Sequence, residues 1–202
     1  MPSVSSKPVR RAPKQPRSER TLEAIFEVSA KLILENGVDA LTMTEIAYRA
    51  DLSIGGLYHY FPDKRSVVVA LLSQYGTELE QMWQPLLEQA PKLKNHEFAE
   101  FFIETVIEFV RQRPAFLTLV SSPIRFRGTP EARRSLRNAV AAAFRSHKPS
   151  LSEQEAFLAG NVTIQLLRGL MHLLGELLPA DHEQVAKTYR DLLTHYVESV
   201  LR

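Results

Sequence analysis

The chain has 202 residues, 45% of them hydrophobic and 24% charged, with a formal net charge of +2, a balance that suits a globular protein with one large core or two small ones. It has no cysteine, which excludes disulfides, cysteine-zinc sites and cysteine nucleophiles. No apolar run reaches the roughly 18 residues of a membrane span and no signal-peptide core stands near Met1, so the sequence predicts a cytoplasmic protein with no membrane partner.

The charge is unevenly placed. Residues 1–20 carry Lys7, Arg10, Arg11, Lys14, Arg17 and Arg20 against Glu19 alone, a local +5. Pro2, Pro8, Pro13 and Pro16, with several serines, leave residues 1–17 nothing to fold on, and they read as a disordered basic arm. Such an arm wraps DNA or enters its minor groove; equally, it serves as a solubilising tail.

Ser18 is placed to cap a helix in which Leu22, Ile25, Phe26, Ala30 and Ile33 follow helical spacing, and Asn36-Gly37 is a C-terminal stop. Next, Thr42 and Glu45 have the spacing of a capping box at the start of a helix that includes Thr44 and buries Ile46, Ala47 and Ala50. After a break at Asp51-Leu52, Ser53 caps a short helix carrying Ile54, Gly55, Gly56, Leu57, Tyr58, His59 and Tyr60. Two helices across so short a turn fit a helix-turn-helix. Adjacent glycines each cost such a helix about 1 kcal/mol relative to alanine, a cost that makes sense where a backbone must approach DNA closely. Tyr58, His59 and Tyr60 are donors suited to phosphate oxygens. Past Phe61-Pro62, Asp63 is placed to cap a helix beginning Lys64-Arg65, aiming a helix N-terminus and two cations the same way.

Over Thr42 to Lys64 this pattern resembles the DNA-binding segment of the TetR family of transcriptional regulators: Ser53, the small pair Gly55-Gly56, the run Leu57-Tyr58-His59-Tyr60-Phe61, and Lys64. The resemblance extends over about Ser18 to Leu72. It implies that Thr42, Tyr58, Tyr60 and Lys64 hold phosphates, with Thr44 and Ser53 in the same interface, while Ile54, Gly55 and His59 meet bases. Two departures stand out. The family turn Ala-Gly-Val-Ser is Ala50-Asp51-Leu52-Ser53 here, so Asp51 must adopt the left-handed conformation that glycine holds more cheaply. Ile54 stands where many relatives carry Lys or Arg; an aliphatic side chain cannot bind guanine bidentately and suits a thymine methyl.

The remainder also reads as helical, giving an all-α fold: a three-helix head with a helix-turn-helix over residues 18–65, and a helical ligand-binding and dimerisation domain over residues 66–202. Lys64 to about Trp83 puts Val68, Leu71, Leu72, Tyr75, Leu79 and Met82 on one face, and Pro85 marks its end or a kink. Glu97 to Arg111 turns Phe98, Phe101, Phe102, Thr105, Val106, Phe109 and Val110 inward and a row of glutamates outward. Thr129-Pro130 opens another helix with a stripe of Leu136, Val140 and Phe144. Ser152 with Glu155, and Asp181 with Gln184, are further capping boxes, opening helices of about Glu153 to Leu178 and His182 to Leu201. These last two form an antiparallel hairpin, the first about 40 Å long at 1.5 Å per residue. So much apolar helix surface implies a two-fold homodimer. Gly160, Gly169 and Gly175 either let helices approach at that interface or fill tight spots within one protomer.

In regulators resembling this one, a small effector bound to the C-terminal domain releases the DNA, so the resemblance implies a repressor with two partners beyond its own copy: an operator duplex and a small molecule of unknown identity. Two features bear on the effector. Residues 111–148 carry Arg111, Arg113, Arg125, Arg127, Arg133, Arg134, Arg137, Arg145 and Lys148 against Glu131, a local +8, which either receives an anion or pairs with the Glu97–Glu108 row and neighbouring acids. Within the long apolar helix, Asn161, Gln165, Arg168, His172 and Glu176 form one polar stripe, which lines a cavity, faces solvent or meets the dimer seam. With Phe102 and Phe116 beside them, Asn161, Gln165, Arg168 and His172 are the candidate ligand-binding residues. His172 and Glu176 lie one turn apart but have no third ligand at usable spacing, so neither metal nor cofactor is expected. No nucleophile-base pair, G-x-S-x-G or Walker sequence occurs, and the reading is not enzymatic. The alternative is a DNA-binding regulator whose body binds a partner protein instead of a metabolite.

Overall fold

Apolar residues at helical spacing set the architecture of the computed structural model, which describes residues 16–122 and 130–202. The head comprises α1 (Pro16–Asn36), α2 (Met43–Arg49) and α3 (Ile54–Tyr60), and α4 (Lys64–Met82) leads out of it. The body adds α5 (Gln84–Gln89), α6 (Asn95–Gln112), α7 (Ala115–Val120), α8 (Pro130–His147), α9 (Glu153–Glu176) and α10 (His182–Leu201), with short 3-10 turns at Ala90–Lys92 and Pro179–Asp181. Among the described residues there is no strand. Residues 1–15 of the expected basic arm lie outside the described residues, as do Arg125 and Arg127.

Helix α1 starts at Pro16 rather than after Ser18. Proline suits the first turn, because its missing N–H would have no partner there and its φ is preset. The helix ends as expected: Gly37 takes φ 78° and its N–H donates to the Ile33 carbonyl at 2.9 Å. Ile25, Ile46, Leu57, Val67 and Val68 are fully buried and hold the head together; burying each such side chain contributes about 1.5–3 kcal/mol. Helix α4 runs unbroken through the expected boundary at residues 65–66, and the apolar core continues from head to body. At the junction α1 packs on α4 and α7. There Tyr75 lies edge-on to Phe109 and Phe116, at ring separations of 6.0 and 5.9 Å.

The body core is aromatic. Phe98 meets Phe102 and Phe144 edge-on at 5.3 and 5.1 Å, an arrangement that complements ring quadrupoles. His147, at the end of α8, stacks on Phe98 at 4.7 Å. Its Nδ1 donates to the Ala90 carbonyl at 2.5 Å and its Nε2 meets the Asn95 side chain at 2.9 Å, closing α8 onto the start of α6. Helix α9 packs between α8 and α10, and α10 lies on α6. By length and composition α9 could cross a membrane, with mean hydropathy 1.2 over its most apolar 18 residues, a stretch longer than the sequence reading allowed. Its Leu167, Leu170, Met171 and Leu174 are buried in this bundle.

The three α9 glycines serve the protomer. A Cβ on Gly160 would stand 3.1 Å from the Ala141 nitrogen, one on Gly169 2.9 Å from the Tyr189 hydroxyl, and one on Gly175 2.9 Å from the Leu117 carbonyl. Of the expected capping boxes, Ser152 with Glu155 is complete in both directions. Asp181 is not a cap: it is already helical at φ −92°, ψ −10° within its 3-10 turn, whereas a capping side chain needs an extended backbone to reach forward.

The cations of residues 111–148 pair with neighbouring acids as well as with the α6 row. Arg111 meets an α6 glutamate, Glu108. Arg113 pairs with Glu78 at 2.8 Å and Arg145 with Glu153 at 3.1 Å, while Glu104 takes Arg190 from α10. Glu97 faces its own helix start, accepting the Lys94 N–H at 2.7 Å.

Candidate nucleic-acid interface

The head presents α3 because both of its ends are fixed. Thr42 caps α2, accepting the Glu45 N–H at 3.2 Å, but the return half of the expected box is absent. The Glu45 carboxylate instead accepts from Arg49 Nε at 2.7 Å, and Arg49 also reaches Glu35 at 2.7 Å. This clamp joins the end of α1 to α2. Its hydrogen bonds to Glu35 and then Glu45 push the Arg49 pKa up. Asp51 makes the turn at φ 53°, as its place in the sequence requires; the left-handed region costs an aspartate less than most side chains.

Ser53 then caps α3, accepting the Gly56 N–H at 3.0 Å. The adjacent glycines differ in kind. A Cβ on Gly56 would stand 3.1 Å from the Ser53 hydroxyl oxygen, whereas one on Gly55 would meet nothing within 4 Å. Gly56 therefore makes room for the cap, while nothing among the described residues requires glycine at 55. Leu57 anchors α3 in the core, leaving Ile54 44% and Tyr58 51% exposed. His59 is exposed with its ring edge-on to Tyr60 at 5.8 Å, and Tyr60 is half-buried against the core.

Asp63 caps α4, accepting the Ser66 N–H at 2.7 Å and its hydroxyl at 2.8 Å; the backbone bond first and then the hydroxyl hold its carboxyl below the usual range. Lys64, half-buried, donates to the Asp39 carbonyl at 2.8 Å. This fixes the loop before Thr42 and leaves its other donors for a ligand. One exposed residue was missed in the sequence: Tyr48, 80% exposed on α2. It follows Thr44, also exposed, by four residues, and that spacing could have placed the two on one face. The outer surface of the helix pair is thus a set of hydroxyls and rings over a bare glycine backbone, shaped to sit against phosphates and base edges.

The candidate ligand residues do not gather. Phe102 and Phe116 are core residues, whereas Gln165, Arg168 and His172 are exposed on the outer side of α9 and Asn161 is half-buried there. Asn161 donates to the Phe157 carbonyl at 2.7 Å, and His172 lies 3.3 Å from Glu176. Trp83, just past the end of α4, has its indole nitrogen buried without a hydrogen-bond partner among the described residues. It borders a void of about 10 Å³ between α4, α6 and α8, with Glu80, Phe102, Leu136, Ala139 and Ala143.

Two family models match the chain: bacterial regulatory proteins of the tetR family over residues 25–71, and the tetracyclin repressor-like C-terminal domain over residues 96–196. The nucleoid occlusion factor SlmA of Glaesserella parasuis is 24% identical over 57% of this chain and 56% of its own length. The HTH-type transcriptional repressor KstR of Mycolicibacterium smegmatis is 38% identical over 33% of this chain and 29% of its own. The chain thus spans about half, or less, of the curated relatives it matches. The transcriptional regulator FadR of Bacillus subtilis, solved in complex with stearoyl-CoA, shares the fold at TM-score 0.61 and 16% identity, over 89% of this chain and 97% of that one.

Proposed function

As the chain belongs to the TetR family of DNA-binding regulators, we propose that it is a repressor, released from its operator by a small molecule bound in the body. The observation that carries the effector half is Trp83. A buried N–H without an acceptor costs about 1–3 kcal/mol, and the Trp83 side chain that carries this one lines the void beside Phe102. The facing wall of α8 is apolar, with Leu136, Ala139, Val140 and Ala143, so an outward shift of α8 would admit an apolar molecule whose acceptor satisfies the indole. Because α4 carries Trp83 at one end and Lys64 at the other, a ligand there acts on the helix that leaves the head. The likeness to a FadR solved with stearoyl-CoA supports a ligand-binding body.

The protein acts as a homodimer. Phe157, Leu158 and Val162 on α9 and Leu192 on α10 are exposed apolar residues, surface that a second copy would cover. Two heads then meet operator half-sites about one turn of DNA, roughly 34–36 Å, or a multiple of it apart. A regulator of chromosomal DNA works in the cytoplasm.

The test is native mass spectrometry of the purified protein, with and without an operator fragment, followed by denaturing mass spectrometry of anything released. A dimer carrying a small molecule that is absent from the DNA-bound dimer supports the reading. A monomer, or a DNA-bound dimer that keeps the molecule, overturns it.

A further inference from the structure

Between head and body lies a cleft of about 590 Å³, walled by α1, α4 and the corner between α6 and α7, within the size range of small-molecule sites. It is separate from the void at Trp83: the two share no lining residue. Its floor is apolar, with Phe26, Ala30 and Leu71.

The charges on its walls are unequal. Glu23 and Glu27, one turn apart on α1, both line it and are exposed. Arg113 lines the opposite wall but is bound to Glu78 at 2.8 Å, and Gln74 occupies the other oxygen of Glu78 at 2.8 Å. That pair is neutral as a unit. Lys31, on the next turn of α1, offsets one of the two glutamates, leaving the cleft with a single excess negative charge.

A second observation is independent of the glutamates. Tyr75 is only 4% exposed, its ring fixed edge-on between Phe109 and Phe116, and it lines the cleft. No hydrogen bond ties its hydroxyl among the described residues. Burial raises the pKa of this phenol, so it stays protonated and offers a lone pair as well as a proton.

We propose that this cleft is a second ligand site, which takes an organic cation: an ammonium group held by Glu23, Glu27 and the Tyr75 hydroxyl, with an aryl or alkyl body on Phe26 and Leu71. A molecule seated there touches a head helix, the bridging helix and the body at once, so it braces the head against the body and changes operator affinity. The site is independent of the effector void, and its failure would leave the proposed function intact.

The test titrates the full-length protein by calorimetry with three probes of one shape, 4-phenylbutylammonium, 4-phenylbutanol and 4-phenylbutyrate. The amine is expected to bind at least tenfold tighter than the alcohol, with the carboxylate weakest. The double variant Glu23→Gln/Glu27→Gln should abolish the advantage of the amine while retaining operator binding, Tyr75→Phe should weaken the amine severalfold, and Trp83→Phe should leave it unchanged. Saturating amine should shift operator affinity at least threefold. Equal binding of amine and alcohol, amine affinity that survives the double variant, or loss of amine binding on Trp83→Phe alone would each overturn the site. An unchanged operator affinity would overturn the bracing.

Discussion

The Ser53 hydroxyl accepts the Gly56 N–H at 3.0 Å, and a Cβ on Gly56 would stand 3.1 Å from that same oxygen. One residue earlier, Gly55 faces open space. Gly55→Ala should therefore stabilise the free protein, by up to about 1 kcal/mol from helix propensity, and still weaken operator binding by about tenfold, or 1.4 kcal/mol, because the methyl group stands where the backbone meets DNA. Gly56→Ala should gain the same propensity but disturb a cap worth about 1 kcal/mol, and come out near neutral. Urea melts beside operator titrations separate the two; a Gly55→Ala protein with full operator affinity would show that this glycine does not face DNA.

Ile54 leads α3 and is 44% exposed, with no polar atom to offer a base edge. Binding-site selection should return an operator without an invariant guanine opposite it. Ile54→Arg should create a guanine preference there of about 1–3 kcal/mol, the range of a good bidentate contact. An invariant guanine in the wild-type selection would refute the assignment.

The head was legible in the sequence because its instructions are local. Caps at Thr42, Ser53 and Asp63, and the stop at Gly37, act within four residues, and each forms where its spacing places it. What failed depended on neighbours. Glu45 has the spacing to cap α2 but finds Arg49 and is drawn away by charge. Asp181 lies in a 3-10 turn set by Pro179. Helix α7, Ala115–Val120, is too short to show a period and was not foreseen. The stripe of Asn161, Gln165, Arg168 and His172 was visible as a stripe, but which way it points depends on how α8 and α10 pack, and they cover the opposite side.

Acid should loosen the helix starts first. Asp63 and Glu155 sit below their ordinary carboxyl pKa values, Asp63 through the Ser66 N–H and hydroxyl, Glu155 through the Ser152 hydroxyl and then its N–H. Glu108 is lowered by Gln112 and then Arg111. A depressed folded-state pKa contributes stability that is present above the unfolded value, about 4 for a carboxyl group, and is lost as pH falls through the folded value. The denaturation midpoint should thus be flat from neutrality to about pH 5 and fall below about pH 4. Asp63→Asn with Ser152→Ala should flatten part of that fall. An unaltered acid limb in this double variant would mean that the caps do not carry it.

Trp83 is the chain's single tryptophan, so its emission reports on the void beside Phe102 without interference. Among the described residues its N–H lacks an acceptor, and Trp83→Phe removes that unsatisfied donor while losing some packing. The first term relieves about 1–3 kcal/mol; the second costs a comparable amount for a partly filled cavity. Stability should therefore change by no more than about 1 kcal/mol, far less than the 3–5 kcal/mol typical of truncating a buried tryptophan to alanine. Release from DNA should behave differently. If the indole N–H holds the effector, whatever small molecule dissociates the wild-type complex should need about tenfold higher concentration with Trp83→Phe, the equivalent of one hydrogen bond, and should shift the wild-type emission as it binds. A Trp83→Phe protein that stays folded and releases operator at the wild-type concentration would place the effector elsewhere in the body.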